Sequence, residues 1–509
     1  MRTVTGPTDH VVVVGAGLSG LAAALHLLGA GREVTVVERE TTPGGRAGRL
    51  DLAGYRMDTG PTVLTMPELL DEALGAVGES VHERLELMPL DPAYRAWFAD
   101  GSGIDVRTDA DAMEQEVREL AGPDEAAGYR KLRQWLHRLY AAQYSTFIDA
   151  NFDSPLNLVE PNLARLAALG GFGNLNRAIG RFLGDERLKR VFSFQSLYAG
   201  VAPHNALAAY AVISYMDTVG GVYFPRGGMR AVPDALSGAA AAAGATMRYG
   251  SAVERLERAG SRVTAVHTER GERIPCDSVV LTPDLPVSYG LLGRTPRRPL
   301  RMRASPSALL IHTGTDREQP LLRHHTLSFG TAWKRTFEEL TRRGRLMTDP
   351  SVLITNPTRS DPSLAPEGRH LHHVLVPCPN LDLAGQDWQR VAGAYAQETI
   401  ELLQDRLMPG FGSSIEVSRL VTPQDWAARG LLAGTPFSAA HTFAQTGPFR
   451  PRNLVRGLDN AVLAGCGTTP GVGVPPVLIS GKLAARRILG EQRGSGSAAR
   501  TAGLGAGRR

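Results

Sequence analysis

Apolar residues fall in short runs separated by glycine-rich turns. Val11–Val14 is an unbroken β-branched run, the pattern of a strand buried on both faces. It meets Gly15-Ala16-Gly17-Leu18-Ser19-Gly20, then an apolar helical stretch from Leu21 to Leu28, then a β-rich run, Val34–Val37, that stops on Glu38. This predicts a strand–turn–helix–strand unit ending near residue 60. Residues 63–190 read mostly helical, and in 129–147 Leu132, Trp135, Leu136, Leu139, Gln143 and Phe147 repeat at helical spacing. A helix is predicted over Ala231–Ala243, followed by β-like runs at Thr246–Tyr249, Val253–Leu256, Val263–Thr268 and Asp277–Thr282. Residues 295–440 are rich in strand patterns, including Ala308–Thr313 and Leu371–Val376. A strand over Asn460–Ala464, a glycine-rich turn over Gly465–Gly473 and a helix from Val474 to about Leu489 close the pattern. The weakly charged run Val11–Leu28 also has the look of a signal peptide or membrane helix, but three turn-spaced glycines and His26 interrupt it.

The first turn carries chemistry. Gly15, Gly17 and Gly20 form G-x-G-x-x-G between a strand and a helix: the first permits the tight turn, the second lets backbone approach a pyrophosphate, the third lets helix pack on strand. Free N–H groups at the helix start favour the anion. Glu38 stands where a carboxylate accepts a ribose 2′-OH, which disfavours a 2′-phosphate and so NADP. Gly44-Gly45-Arg46 follows at once. A plain NAD site has no need of it, whereas the stretch resembles the turn that, in flavoproteins of the amine oxidase and glutathione reductase type, places backbone N–H groups and a guanidinium fork on the pyrophosphate, and the dinucleotide expected is FAD.

The fold class expected is α/β: a Rossmann-type FAD-binding domain split in sequence, a mixed α+β substrate domain and a helical lid or membrane-facing region. The segments expected are 8–100 (FAD-binding, first part), 101–222 (helical lid and substrate region), 223–290 (FAD-binding, second part), 291–440 (substrate domain), 441–490 (FAD-binding, third part) and a disordered tail, 491–509. At 509 residues two or three domains are expected, and 43% hydrophobic with 21% charged residues is a globular composition. A net charge of +5 is mild: it does not demand nucleic acid and fits loose attraction to an anionic membrane surface. The three cysteines, Cys276, Cys378 and Cys466, are far apart, which argues against a disulfide framework or zinc site and fits a reducing cytoplasm.

Taken in order, further stretches make the chain similar to a family. They are Asp58-Thr59-Gly60-Pro61-Thr62, Phe192-Ser193-Phe194-Gln195-Ser196, Phe224-Pro225-Arg226-Gly227-Gly228-Met229, His324-His325-Thr326, Asp361-Pro362-Ser363-Leu364-Ala365-Pro366-Glu367-Gly368, Phe449-Arg450-Pro451 and Gly467-Thr468-Thr469-Pro470-Gly471-Val472-Gly473-Val474-Pro475. From about Val11 to Leu489 the chain resembles the bacterial phytoene desaturases of the amine-oxidase-like FAD superfamily. It departs from them at Thr469, where the family usually has His. The resemblance implies that Gly15, Gly17 and Gly20 hold the pyrophosphate, Glu38 the adenosine ribose, and Gly45 and Arg46 the phosphates. It implies that Val253 meets adenine through its backbone, that Gly60 to Thr62 lie by the flavin ring, and that the turn from Gly465 to Gly473 and Val474 caps it.

The implied substrate is phytoene, a long polyene without charge or hydrogen-bonding group, so binding rests on apolar burial at roughly 25 cal/mol per Å². Polar catalytic anchors should be few. The implied chemistry is repeated hydride transfer from an allylic carbon to flavin with loss of a proton from its neighbour, and lycopene is the expected end product. Asp149, Asp153 and Asp217 are weak candidates for the proton acceptor, and no catalytic residue is assigned. A membrane quinone or O₂ is the expected electron acceptor, and the expected location is the cytoplasm, peripherally on the inner face of the cell membrane. The basic helix around 129–147, with Arg130, Lys131 and Arg133, is read either as a lipid-docking helix or as a lid burying its stripe. The alternatives are a later-step carotenoid dehydrogenase or isomerase, an amine or protoporphyrinogen oxidase using Lys334, and a non-enzymatic lipid-carrier relative.

Overall fold

The computed structural model describes residues 1–154, 156, 160–295, 301–383 and 385–490; the tail expected at 491–509 lies outside the described residues. A parallel sheet of five strands forms the base, in the order Ala461–Leu463, Ser278–Leu281, His10–Val14, Glu33–Val37, Thr246–Arg248. Val11, Val12 and Val13 are fully buried at its centre, as an all-apolar strand covered on both faces requires. The helices Leu18–Gly29 and Val474–Leu489 pack on one another over this sheet. They approach closely at Gly481, where an added Cβ would stand 2.2 Å from the Ser19 carbonyl. Strands from the two ends and the middle of the chain thus share one sheet.

The second layer is a mixed sheet of seven strands, ordered Ile415–Val421, Ser307–Thr315, His370–Cys378, Val352–Thr355, His325–Phe329, Tyr94–Phe98, Gly103–Val106. Its longest run beside the edge, the second strand Ser307–Thr315, is buried at every position. Within 63–190, expected to be mostly helical, the strands Leu87–Pro89, Tyr94–Phe98 and Gly103–Val106 stand among the helices, and Tyr94–Phe98, inside the segment expected to be FAD-binding, pairs in parallel with His325–Phe329 of the substrate sheet. Its burial alternates, the period-2 signature that the helical reading of this region passed over. The strand predicted from Val253 runs on to Ala259.

Helices from 110 to 218 cover the far side. In Pro123–Gln143 the stripe Leu132, Trp135, Leu136, Leu139 is buried, with Trp135 against Phe182 and Tyr129 against Phe192. This helix spends its apolar face inside the protein. No helix among the described residues is long and apolar enough to cross a membrane.

Candidate active site

Three glycine-rich turns converge at the carboxyl ends of the parallel strands. Gly15, at φ +103°, leaves the first strand, and Gly20 lies so close beneath it that a Cβ there would stand 2.0 Å from the Gly15 carbonyl. Gly17 has open space around its Cα. Gly44 donates its N–H to the Ala16 carbonyl at 2.9 Å, which lays the second turn against the first. A Cβ on Gly45, at φ +57°, would meet Gly17 Cα at 3.3 Å. The third turn arrives with Gly465, at φ +105° and 3.4 Å (measured to an added Cβ) from Ser19 Oγ. Positive φ or close backbone contact explains these glycines without reference to any ligand, Gly17 excepted: its φ is -73° and a Cβ there would meet nothing within 4 Å.

Glu38 ends the second strand, buried, and accepts the Ala16 N–H at 2.6 Å and the Glu40 N–H at 3.0 Å. Its carboxylate therefore lies on the first turn. Its carbonyl accepts the Ser251 N–H at 2.8 Å, which brings Val253 to the same edge. Arg46 reaches across to the third turn. Nη1 donates to Cys466 Sγ at 3.0 Å, and Nη2 lies 3.2 Å from Asp284 Oδ2, near enough for an ion pair but off the line of a hydrogen bond. Burial opposes the charge, but Cys466 and Asp284 more than offset it, and the guanidinium is held above its ordinary range. Its Nε and Nη2 are buried without a hydrogen-bond partner, donors left for an acceptor such as a phosphate oxygen. The open space at Gly17, the acid on the turn and the two spare guanidinium donors fit an FAD pyrophosphate and ribose.

Gly60 packs on this turn, where an added Cβ would stand 2.0 Å from the Arg46 carbonyl. Thr62 is buried two residues on and accepts the Thr355 hydroxyl at 3.1 Å. At the opposite side Gly473, at φ +119°, caps the last helix, and Pro475 and Pro476 follow Val474. Proline has no N–H, so of the first three residues of that helix only Val474 carries a backbone donor. Thr469 is buried and reaches only toward the Gly447 carbonyl, at 3.5 Å.

Asp58, inside the motif that supplies Gly60, binds the backbone N–H of Met229 at 2.8 Å and of Arg230 at 3.2 Å. Burial nonetheless raises its carboxyl to about 6. Asp361 accepts the Gly227 N–H at 2.7 Å, so three of the motifs that are distant in sequence are stitched together here. Beside them Thr62, His312, Thr355, His372 and His373 line a cavity of about 20 Å³, room for one water. Sequence reasoning missed Cys466, Asp284 and the histidines, since nothing local marks them.

The three acids considered as proton acceptors part company. Asp149 pairs with Lys482 at 3.0 Å and Arg486 at 3.1 Å, and Asp153 pairs with Arg487, so both anchor the last helix. Asp217 is buried and makes no ion pair among the described residues. Lys334 is exposed on the helix Trp333–Glu338.

Residues 18–489 match the model of the flavin containing amine oxidoreductase family. A phytoene dehydrogenase of Streptomyces griseus is 68% identical over 96% of this chain and 97% of its own length. A zeta-carotene-forming phytoene desaturase of Myxococcus xanthus is 35% identical over 94% of each chain. The chain belongs to the phytoene desaturases of the flavin-containing amine oxidoreductase family. It is an FAD-dependent oxidoreductase. A solved oxidoreductase from Methanosarcina mazei shares the fold, with TM-score 0.62 and 17% identity over 93% of this chain and 99% of its own.

Proposed function

We propose that this enzyme desaturates phytoene in repeated rounds and ends at lycopene. The observation that carries the reading is the likeness over nearly the full length to desaturases of that substrate, joined to the convergence of three glycine turns with the spare donors of Arg46. FAD, when bound, supplies the hydride acceptor. Gly15, Gly17, Gly20, Gly45 and Arg46 hold its phosphates, Glu38 its ribose, and the Val253 backbone its adenine. Gly60, Thr62, Gly465, Gly473 and Val474 enclose its ring. Each round removes two hydrogens and changes neither charge nor polarity. A site that binds by apolar burial therefore has little means to reject its own product, since small apolar differences discriminate by only about 1–3 kcal/mol. That argument favours the fully desaturated end product.

The substrate dissolves in the bilayer, so we place the working enzyme on a membrane surface, with a quinone or O₂ taking the electrons. The apolar stripe of Pro123–Gln143 is spent on the core, which leaves exposed Phe172, Phe443 and Phe449 as the contact. The rings of Phe443 and Phe449 are 5.9 Å apart, and Tyr210, close in sequence to the segment that pairs with Gly171, bonds Thr446. Expression in a phytoene-accumulating bacterium tests the reading: red polyene pigment is expected, and its band positions count the new double bonds. A colourless extract from cells holding FAD-loaded protein overturns it. Liposome flotation lost on changing Phe443 and Phe449 to Ser, and kept on neutralising Arg130, Lys131 and Arg133, is expected for the docking face.

A further inference from the structure

Three elements bring buried polar groups together behind this site. Asp217 is on the helix Ala211–Thr218, Tyr94 opens the strand Tyr94–Phe98, and Tyr198 follows the short helix Phe194–Leu197. Asp217 and Tyr94 are 3% and 0% exposed. The Tyr94 hydroxyl lies beside Asp217 Oδ2, close enough to act on its charge but not aligned as a hydrogen bond, and the Tyr198 hydroxyl and Ser214 Oγ, one turn before Asp217, are buried without a partner. The walls are aromatic: Phe194 stands edge-on to Tyr94 and to Tyr198, each at 5.8 Å, and against Phe329 at 6.1 Å. Each unpaired polar group costs about 1–3 kcal/mol, and a carboxylate more. Asp149 and Asp153 are neutralised by cations, whereas no cation faces Asp217 among the described residues.

The cluster is tied to both sides of the flavin position. On one side the Tyr94 ring lies 5.7 Å from His325, whose Nδ1 meets Thr355 Oγ1 at 3.0 Å, and Thr355 donates to Thr62. On the other side Ala199, next to Tyr198, accepts the His441 N–H at 2.9 Å. The His441 ring covers Gly471 in the capping turn, where an added Cβ would stand 2.2 Å from it. Asp217 thus sits in an apolar enclosure that reaches the residues expected above and below the ring.

We propose that Asp217 receives the proton in each desaturation round. One allylic carbon gives up its hydrogen with the bonding pair, as hydride, to the flavin oxidant. The neighbouring carbon gives up its hydrogen as a proton to Asp217 Oδ2, and the electrons of that C–H bond become the new double bond. Asp217 then returns the proton to water before the next round. The inference rests on the activity proposed above. Burial raises the Asp217 carboxyl to about 7, with the Tyr94 hydroxyl opposing, so the base is partly ionised at neutral pH. The titratable groups that face it are Tyr94 and Tyr198; burial holds both hydroxyls protonated, well above their usual range.

The test uses the FAD-loaded full chain, Asp217→Asn and Tyr94→Phe, with phytoene in liposomes. In Asp217→Asn, kcat is expected to fall about 100-fold or more, with the flavin spectrum and Tm retained. The wild-type rate should rise with pH through about 7, and this limb should vanish in Asp217→Asn. Tyr94→Phe removes a donor to the ionised form, so its limb should move to higher pH. Infrared spectroscopy without substrate should show protonated carboxyl absorption with a component that titrates near 7 in the wild type and is missing in Asp217→Asn, while the component of Asp58, titrating near 6, stays in both. An Asn variant within about threefold of the wild-type rate, or one that loses FAD and Tm together while its residual activity keeps the pH limb, overturns the proposal. If Asp217→Asn does not fold, an unmoved limb in Tyr94→Phe overturns it. A wild-type chain that converts no phytoene defeats the activity reading, and the infrared titration separates the two failures.

Discussion

The two sheets of this protein treat polar groups in opposite ways. In the parallel sheet the buried strand positions are almost all Val, Leu and Ala, and the candidate ligand-binding groups lie in the turns at the strand ends. The seven-stranded sheet buries polar side chains within its own strands: His312, His325, His372 and His373, with Thr313 and Ser328. His312 and His373 are direct cross-strand partners with rings 4.7 Å apart, and each leaves Nε2 unpaired. The first sheet is a scaffold whose interior needs only volume and β-branching. The second carries unpaired imidazoles that cost stability a hydrocarbon cannot repay. Water or the chemistry of the site must account for them.

The largest expected effect is acid sensitivity seated in the second sheet. Burial holds the pKa of His324 and His372 down to about 3 and that of His373 to about 4, and it does the same to His26. A histidine depressed in the folded state is protonated first in the unfolded chain, so stability is full above about 6.5 and falls as pH drops toward the folded value. Asp58 and Asp217, raised to about 6 and 7, act the other way, binding protons more tightly when folded. Burial also holds His312, His325 and His441 well below their usual range, so the histidines outnumber the two acids and stability should fall as pH drops from about 6 toward 4. Hydrogen exchange at low pH should open the seven-stranded sheet first. A flat Tm over that window breaks the comparison.

Next in size is Gly20→Ala, which drives a methyl into the Gly15 carbonyl. It should cost about 3 kcal/mol and yield little flavin-loaded protein, read by Tm and by absorbance. Arg46→Ala leaves Asp284, 1% exposed, without its cation. A loss of about 2 kcal/mol is expected, below the range for fully buried pairs because Arg46 itself is 27% exposed, together with weakened FAD retention in a dilution assay. His372→Leu is the smallest. Both ring nitrogens lack partners, so an apolar side chain of similar size should change stability by less than about 1 kcal/mol at neutral pH while flattening the acid loss. A large neutral-pH loss would mean that the ring is paired in solution.

The sequence by itself determined the nucleotide end. Gly15, Gly20 and Gly465 sit where φ or backbone proximity admits no side chain, and such demands are met within a few residues, so spacing reveals them. Helix, strand and acid in Leu18–Gly29, Glu33–Val37 and Glu38 followed for the same reason. The strand Tyr94–Phe98 was hidden because its partner lies more than two hundred residues away and only the pairing fixes its sheet. Which of three acids stands free was likewise beyond the sequence: Asp149 and Asp153 meet their cations on the last helix, over three hundred residues distant. Local backbone constraints are written locally. Burial and charge environment are sums over whatever the fold brings close, and only the tertiary structure decided them.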